Sequence, residues 1–148
     1  MVDAKLINKQ IEVLLKEEPY EVTKLANAAA LIYEDYPDLS WVGFYLLKGE
    51  FLYLGPFQGK VACTRIPVGV GVCGTCVAKK ETILVNNVHE FPGHIACDSA
   101  SNSEIVVPLF KEGNIYGVLD IDSTTLNRFN ETDKTNIESI AKTIERIL

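Results

Sequence analysis

The stretch EIVVPLFKEGNIYGVLDI, residues 104–121, decides the fold class of this chain. It predicts two strands, 104–110 and 115–121, joined by a turn at 112–114. Residues 40–54, SWVGFYLLKGEFLYL, predict a second pair of strands joined in the same way. Strands joined by such short turns pair antiparallel, so the chain is expected to contain an antiparallel sheet.

Apolar residues at helical spacing flank these strands on both sides. Two helices are predicted before the first strand, and the first should end at Pro19 because proline breaks a helix. A last helix is predicted to begin at Asn130, which forms a capping-box-like pair with Asp133. Helices, then strands, then a terminal helix predict an α+β fold, a central antiparallel sheet packed against N- and C-terminal helices. We expect a single domain over residues 1–148, because this length suffices for one domain with a proper core and is too short for two domains.

Composition and charge exclude several classes of protein. The chain carries 14 basic and 20 acidic residues, a net charge of −6, and its Lys and Arg residues are scattered. We therefore expect no nucleic-acid partner, since phosphate backbones require a basic stripe. No apolar run is long enough to cross a membrane, and the N-terminus lacks the apolar segment of a signal peptide, so we expect no membrane partner and a cytoplasmic protein. Disulfides are rare in that compartment unless they are catalytic, so the four cysteines call for a specific role.

The stretch GVGVCGTCVAKK, residues 69–80, contains two overlapping motifs. Residues 69–74 spell GxGxxG, but a dinucleotide site also needs a βαβ unit, and this chain predicts hairpins instead. The glycines are more consistent with a tight turn of the backbone into a short helix at 74–80. Cys73 and Cys76 spell CxxC near the start of that helix, where the helix dipole would lower the pKa of a thiol.

The cysteines are also compatible with a zinc site or with a plain apolar core. Cys73, Cys76 and Cys97 together with His94 would form a Cys3His zinc set, although the spacing of His94 and Cys97 matches such sites only loosely. Alternatively all four cysteines, Cys63 included, are small buried hydrophobic residues. The spacing of the cysteines does not decide between these two roles and a redox site.

Residues 86–103, NNVHEFPGHIACDSASNS, predict a long polar loop. A loop of this length without secondary structure is usually functional or disordered. Phe91 and Ile95 are able to anchor it to the domain, which favours a functional loop. Cys97 on such a loop would be accessible enough to react.

Three acidic residues are predicted to lie close together on the sheet. Asp120 and Asp122 are two residues apart in GVLDID, so they share one face of a strand, and Glu104 opens the neighbouring strand. Carboxylates placed in this way repel each other, which raises the pKa of one of them. The alternative is that these acids merely end their strands in solvent.

Two aromatic residues share a face of the first predicted strand. Trp41 and Tyr45 lie four residues apart, and this spacing places them on the same side of a strand. Aromatic residues at such positions usually belong to a core, and the functional alternative is the wall of a ligand pocket.

Four segments together resemble the free methionine-R-sulfoxide reductases, small enzymes of the GAF fold. The segments are SWVGFYLL (40–47), LGPFQGKVACTRIPVGVGVCGTCVA (54–78), NNVHEFPGHIACDSASNSEIVVPL (86–109) and GVLDIDS (117–123). The resemblance implies a single GAF domain that reduces free L-methionine-(R)-sulfoxide to L-methionine. A GAF resemblance alone would say little about function, because one fold hosts many binding roles.

The resemblance also implies roles for the cysteines. Three family cysteines match Cys63, Cys73 and Cys97, and the implied nucleophile is Cys97, which becomes a sulfenic acid. Cys63 is the implied resolving thiol, and Cys73 a second resolver. Cys76 stands where the family often has another residue, so the CxxC spacing is interpreted as accidental and Cys76 as a small buried residue.

For the remaining site residues the resemblance implies contacts with the substrate. Glu104 and Asp122 match the carboxyl groups that meet the sulfoxide, one of them protonated. Asp120 matches an acid that holds the substrate ammonium group. Trp41 would pack on the substrate methyl group, with Tyr45 beside it.

The implied partners are a small molecule and a reductant. An external dithiol, expected to be thioredoxin, reduces the disulfide, and no metal or organic cofactor is needed. The family analogy is compatible with a homodimer, which no residue pattern in the chain tests. A non-catalytic GAF sensor of a small ligand, or a thiol switch without turnover, is the alternative function. The stereoisomer, the resting disulfide and the physiological reductant do not follow from the sequence alone.

Overall fold

The computed structural model describes residues 2–94 and 100–148. These residues form four α-helices and a six-stranded sheet. The helices are α1 (Ala4–Leu15), α2 (Glu21–Asp35), α3 (Gly71–Lys79) and α4 (Glu131–Ile147). The strands are β1 (Trp41–Lys48), β2 (Phe51–Gln58), β3 (Arg65–Pro67), β4 (Ile83–Val85), β5 (Ser103–Lys111) and β6 (Asn114–Ser123). A 3-10 helix, Val88–Glu90, interrupts the predicted loop, and Cys97 lies outside the described residues.

The strands are ordered β3-β2-β1-β6-β5-β4, and every neighbouring pair is antiparallel. The two predicted hairpins, β1–β2 and β5–β6, are therefore joined through β1 and β6 at the centre of the sheet. The predicted α+β fold with a central antiparallel sheet is confirmed.

Helices α2 and α4 pack on one face of this sheet, and α1 packs against both of these helices. Their apolar stripes bury side chains such as Ile11, Ile32 and Ile140 against Phe44 of β1 and Leu119 of β6. Burial of this apolar surface is the main stabilising contribution to the helical side of the molecule. None of the helices in the described part of the chain combines the length and apolar character needed to cross a membrane.

The predicted start of α4 is confirmed by a complete capping box. The side chain of Asn130 accepts a hydrogen bond from the backbone N–H of Asp133, and the Asp133 carboxylate accepts one from the backbone N–H of Asn130, both at 2.9 Å. Asp133 also accepts a hydrogen bond of 2.5 Å from the Tyr36 hydroxyl, which follows α2. The cap of α4 therefore also holds the C-terminal end of α2.

Helix α3 covers the opposite face of the sheet and builds a second apolar core there. Val72 and Val77 of α3 are buried with Val106 of β5 and Val118 of β6. Gly74 allows α3 to begin close to β3, because a Cβ atom on Gly74 would lie 2.4 Å from the carbonyl oxygen of Pro67.

The structure differs from the sequence prediction along β2. The second strand of the first hairpin was predicted to end by residue 54, but β2 continues to Gln58. The register shifts between Gly43 and Tyr45 of β1, so Pro56 lies opposite the irregularity. A bulge tolerates proline because the ladder there needs no N–H group.

A short third strand follows β2 along the chain. Strand β3 is Arg65–Pro67, three residues that pair with the start of β2. The preceding backbone is instead bound by side chains, because Trp41 Nε1 donates to the Lys60 carbonyl at 3.0 Å and Tyr45 donates to the Cys63 carbonyl at 2.8 Å. These two hydrogen bonds hold the backbone of residues 60–63 apart from the strand pairing between β2 and β3.

We predict that Gly74→Ala destabilises the protein by about 1–3 kcal/mol, the usual cost of an added methyl group in a packed interior. The added Cβ would meet backbone atoms of Pro67 and Gly69, which cannot rotate away. Chemical denaturation measures the change. Lys79→Ala, at an exposed position of the same helix, is the control and should change stability by less than about 0.5 kcal/mol. Equal effects of both variants would show that the close approach of α3 to β3 is unimportant.

Candidate active site

Two rows of residues cross the centre of the sheet on the face that α3 covers. In the first row Trp41 of β1 pairs with Asp122 of β6, which pairs with Glu104 of β5. In the second row Gly43 of β1 pairs with Asp120 of β6. Because strand side chains alternate between faces, Trp41 and all three acids lie on the same face. Glu104, Asp120 and Asp122, hereafter the carboxyl cluster, therefore lie together as the sequence predicts.

Helix α3 places a cysteine against the carboxyl cluster. Cys73 is the third residue of α3, and its Sγ lies within 4.8 Å of a carboxyl oxygen of Glu104 and one of Asp120, which are equally close to each other. The exposed fractions are 3% for Cys73, 7% for Glu104 and 5% for Asp120. The alternative interpretation of Glu104 and Asp120 as strand ends in solvent is therefore wrong.

Burial shifts the ionisation of the carboxyl cluster. Burial, followed by the charges of Asp120 and Asp122, raises the pKa of Glu104 well above its usual value of 4.5. Burial also raises the pKa of Asp120, although hydrogen bonds from Glu104 and Cys73 act in the opposite direction. The two effects together favour a protonated Glu104 that donates to an ionised Asp120.

The cysteines of α3 do not have the lowered pKa that a helix start suggests. Burial raises the pKa of Cys73 well above its usual value, and the negative charges of Asp120 and Glu104 raise it further. Burial raises the pKa of Cys76 to about 12. The prediction of a lowered thiol pKa at this helix is therefore wrong, because desolvation and neighbouring acids outweigh the helix dipole.

A cavity opens between the carboxyl cluster and the first turn of α3. Two polar atoms in its wall, Oδ1 of Asp120 and Oγ of Ser101, are buried and have no hydrogen-bond partner among the described residues. Buried polar atoms of this kind cost free energy unless a ligand or water satisfies them. The lining residues are Trp41, Tyr45, Val61, Ala62, Ile66, Gly71, Val72, Cys73, His94, Ser101, Glu104, Asp120 and Asp122.

An aromatic wall closes one side of the cavity. Trp41 stacks on Tyr45 with ring centroids 6.0 Å apart and on Phe57 with centroids 5.2 Å apart. Gly43 makes room for the indole, because a Cβ there would lie 2.5 Å from a ring carbon of Trp41. Burial, followed by the charge of Asp120, raises the pKa of Tyr45, so its hydroxyl stays neutral. Trp41 and Tyr45 are thus both buried and part of a cavity wall.

Unlike Cys73, the other described cysteines, Cys63 and Cys76, do not line the cavity. Cys76 is fully buried, and its Sγ contacts the Val106 carbonyl at 3.7 Å rather than facing the cavity. Cys63 is disulfide-bonded, whereas Cys73 and Cys76 are free thiols. Among residues 2–94 and 100–148, the side chains that could share a metal ion with Cys73 are those of Glu104 and Asp120, and neither Cys76 nor His94 is one of them. The described members of the alternative Cys3His zinc set are therefore not brought together.

The GxGxxG motif forms a turn into a helix. Gly69 and Gly71 have φ angles of +87° and +67°, a conformation that favours glycine. The N–H of Gly69 donates to the carbonyl of Gly74, which closes the turn. Strands β3 and β4, on either side of α3 in sequence, lie at opposite edges of an antiparallel sheet, so this segment has no βαβ unit.

Sequence reasoning missed several residues of the cavity. Ser101 lies just before β5, where Asn102 is fixed by hydrogen bonds to Ser123 and Thr124, and this attachment holds Ser101 in the wall. His94 also lines the cavity, and burial followed by the charge of His89 lowers its pKa. The polar composition of the long loop was the one signal for Ser101, and it does not distinguish one serine from another.

The comparisons with known proteins agree with this geometry. Residues 21–148 match the family model of the GAF domain. The free methionine-R-sulfoxide reductase of Escherichia coli is 50% identical to this chain over 142 residues, which cover 96% of this chain and 86% of that protein.

Two solved structures are similar over nearly the whole chain. The reduced form of fRMsr of Staphylococcus aureus is 48% identical, covers 100% of this chain and 96% of its own, and superposes with a TM-score of 0.96. The free methionine-R-sulfoxide reductase from Neisseria meningitidis in complex with its substrate is 48% identical, covers 97% and 86%, and has a TM-score of 0.92. Since both the family model and these identities extend over most of its length, this chain belongs to the GAF domain family and, within it, to the free methionine-R-sulfoxide reductases.

Proposed function

We propose that this chain reduces free L-methionine-(R)-sulfoxide to L-methionine with cysteine thiols and without a metal or organic cofactor. The observation that carries the proposal is the cavity in which two buried carboxyl groups and a cysteine lie side by side. Sulfoxide reduction needs such an acid, because the sulfoxide oxygen is a poor leaving group until it is protonated. Membership of the reductase family supports the same substrate.

The first step is attack of the Cys97 thiolate on the sulfoxide sulfur. This attack forms a bond between Sγ of Cys97 and the substrate sulfur, while the sulfur–oxygen bond breaks and the protonated oxygen leaves as water. A water molecule then adds to Sγ of Cys97 and loses a proton, the sulfur–sulfur bond breaks, methionine is released, and Cys97 is left as a sulfenic acid. The sulfoxide gains two electrons and the cysteine loses two, so the step is balanced without another oxidant. Cys97 lies outside the described residues, and its role rests on the family match and on the chemistry of the cavity.

The free thiol of Cys73 is poorly suited to be the nucleophile. Burial and the neighbouring acids raise its pKa, so it holds its proton at neutral pH, whereas attack requires a thiolate. This ionisation also disfavours attack by Cys73 on a sulfenic acid, so a role as second resolving thiol requires that its proton be removed first. It also leaves Cys97 as the family cysteine proposed to attack.

Glu104 is the proposed proton donor to the sulfoxide oxygen. Burial raises its pKa well above 4.5, which favours the protonated form, and its carboxyl group lines the cavity. Asp122 pairs with Glu104 in the sheet and lies at the same end of the cavity. We propose that these two groups meet the sulfoxide together.

Asp120 and Trp41 are the proposed contacts for the rest of the substrate. Oδ1 of Asp120, which has no hydrogen-bond partner in the part of the chain that the structure describes, is a suitable acceptor for the ammonium group of a free amino acid. The buried indole of Trp41 offers an apolar surface to the substrate methyl group, with Tyr45 beside it. A peptide-bound methionine sulfoxide has no free ammonium group, so this pocket should favour the free amino acid.

The start of α3 is the proposed contact for the substrate carboxylate. Gly71, Val72 and Cys73 line the cavity, and the first N–H groups of a helix have no partner within the helix. Val70 precedes them without a side-chain cap, so these donors are left for a ligand. An anion is favoured at such a helix start.

Recycling requires two further thiol reactions. Cys63 is proposed to condense with the sulfenic acid of Cys97, which forms a disulfide and releases water. The disulfide-bonded state of Cys63 supports its capacity to resolve. A dithiol reductant, proposed to be thioredoxin, then reduces this disulfide by exchange and becomes oxidised itself.

The proposed function is tested by NADPH consumption with thioredoxin and thioredoxin reductase. We expect turnover with free L-methionine-(R)-sulfoxide and none with the S epimer or with a blocked peptide that contains methionine sulfoxide. Turnover on the peptide equal to that on the free amino acid would contradict the substrate assignment. No turnover with any substrate by reduced protein would favour a ligand-sensing GAF module or a thiol switch.

Single-turnover reduction without thioredoxin tests the roles of the cysteines. Cys97→Ser should slow methionine formation by more than roughly a thousandfold, as loss of a nucleophile does in other enzymes. Cys63→Ser is the matched control, and it should still form one equivalent of methionine while its sulfenic acid accumulates. Full single-turnover activity of Cys97→Ser would place the nucleophile elsewhere.

Glu104→Gln should remove the pH-dependent loss of folding stability that the raised pKa of Glu104 causes. Glu104 holds its proton in the folded state but loses it in the unfolded chain near pH 4.5, so wild-type stability should fall as pH rises above that value. Relative to Glu104→Gln, we expect a loss of about 1.4 kcal/mol per pH unit until Glu104 ionises in the folded state. Chemical denaturation across this range measures the difference, with Glu90→Gln at an exposed position as the control for a lost surface charge. A difference that is constant with pH would contradict the raised pKa.

A further inference from the structure

The carboxyl cluster and Cys73 also have the arrangement of a metal site. One sulfur and two carboxyl oxygens, from Cys73, Glu104 and Asp120, lie within 4.8 Å of one another. Ligand atoms of one metal ion lie at comparable separations, because zinc binds sulfur at about 2.3 Å and oxygen at about 2.0–2.2 Å. Small side-chain adjustments would therefore bring all three atoms onto one ion.

One of the carboxyl groups at this site also has an oxygen without a hydrogen-bond partner among the described residues. Oδ1 of Asp120 has no hydrogen-bond partner among the described residues, although only 5% of the residue is exposed. Unused carboxylate oxygens in buried positions are unfavourable, and a cation is one ligand that satisfies them. This unsatisfied oxygen is an observation separate from the closeness of the three side chains.

The combination of ligands favours zinc over harder cations. Magnesium and calcium prefer oxygen ligands throughout, whereas a thiolate selects a softer ion. Three protein ligands in a cavity leave a further position for water, as in other zinc sites that are open on one side. Cys73 and Glu104 bind as thiolate and carboxylate, so their protons pass to solvent.

We propose that the reduced protein binds one Zn²⁺ ion through Cys73, Glu104 and Asp120, and that the bound ion excludes the substrate. The ion would occupy the position proposed for the sulfoxide oxygen and the ammonium group, so it acts as a competitive inhibitor and not as a cofactor. The competition rests on the proposed function, whereas metal binding itself does not. Zinc availability would thereby set the fraction of active reductase.

Cobalt(II) reports directly on the sulfur ligand. In a Cys63→Ser/Cys97→Ser protein, which lacks the other two family thiols, we expect one Co²⁺ per chain and a thiolate-to-cobalt charge-transfer band that Zn²⁺ abolishes. Adding Cys73→Ser should remove the band and weaken metal binding at least roughly tenfold. Adding Cys76→Ala should leave both unchanged, because the sulfur of Cys76 faces the Val106 carbonyl.

A band that survives Cys73→Ser, or no metal binding at all, would overturn the site. Free L-methionine-(R)-sulfoxide, which the Cys63→Ser/Cys97→Ser protein cannot reduce, should displace the cobalt, and failure to displace it would overturn the competition. In the wild-type protein Zn²⁺ should slow single-turnover reduction, and EDTA should restore it. Failure of the turnover assay would instead overturn the proposed function and leave the cobalt measurement unaffected.

Discussion

The burial of adjacent carboxyl groups beneath α3 is the constraint on which the rest of the site depends. An isolated charge in such a position costs several kcal/mol, and two neighbouring negative charges cost more. The cost is reduced when Glu104 keeps its proton and donates a hydrogen bond to Asp120. In the proposed mechanism Glu104 is the acid for the sulfoxide oxygen and Asp120 is the acceptor for the ammonium group. The same hydrogen-bonded pair of carboxyl groups therefore serves both proposed roles.

Each face of the sheet carries its own apolar core, and these cores hold the carboxyl cluster in place. One face is held by three helices, which leaves the opposite face free to carry polar groups beside α3. The central strands fix the spacing of the acids through their register, and Gly74 lets α3 approach closely. Trp41 and Tyr45 bind the backbone of the segment that carries Cys63, so the cavity wall also positions the cysteine that we propose as the resolving thiol.

The sequence predicted correctly the features that depend on residues close together in the chain. Two hairpins, the capping box of α4 and the shared face of Asp120 and Asp122 follow from turn residues and from the two-residue period of a strand. Depth of burial is a property of the whole fold, so the direction of the Cys73 pKa shift was predicted wrongly. The course of the 60–63 backbone depends on side chains that are distant in sequence, and no local pattern reports it. The same holds for the buried hydroxyl of Ser101, which has no hydrogen-bond partner among the described residues.

The ionisation of Glu104 in the reduced protein is the most direct test of the proposed chemistry. A ¹³C NMR titration of the labelled side-chain carboxyl groups, with Glu104 assigned by its absence in Glu104→Gln, measures it. We expect Glu104 to be still protonated at neutral pH, with a pKa well above 4.5. Titration of Glu104 near 4.5 would mean that this residue is ionised at neutral pH, and the proposed proton donation would be wrong.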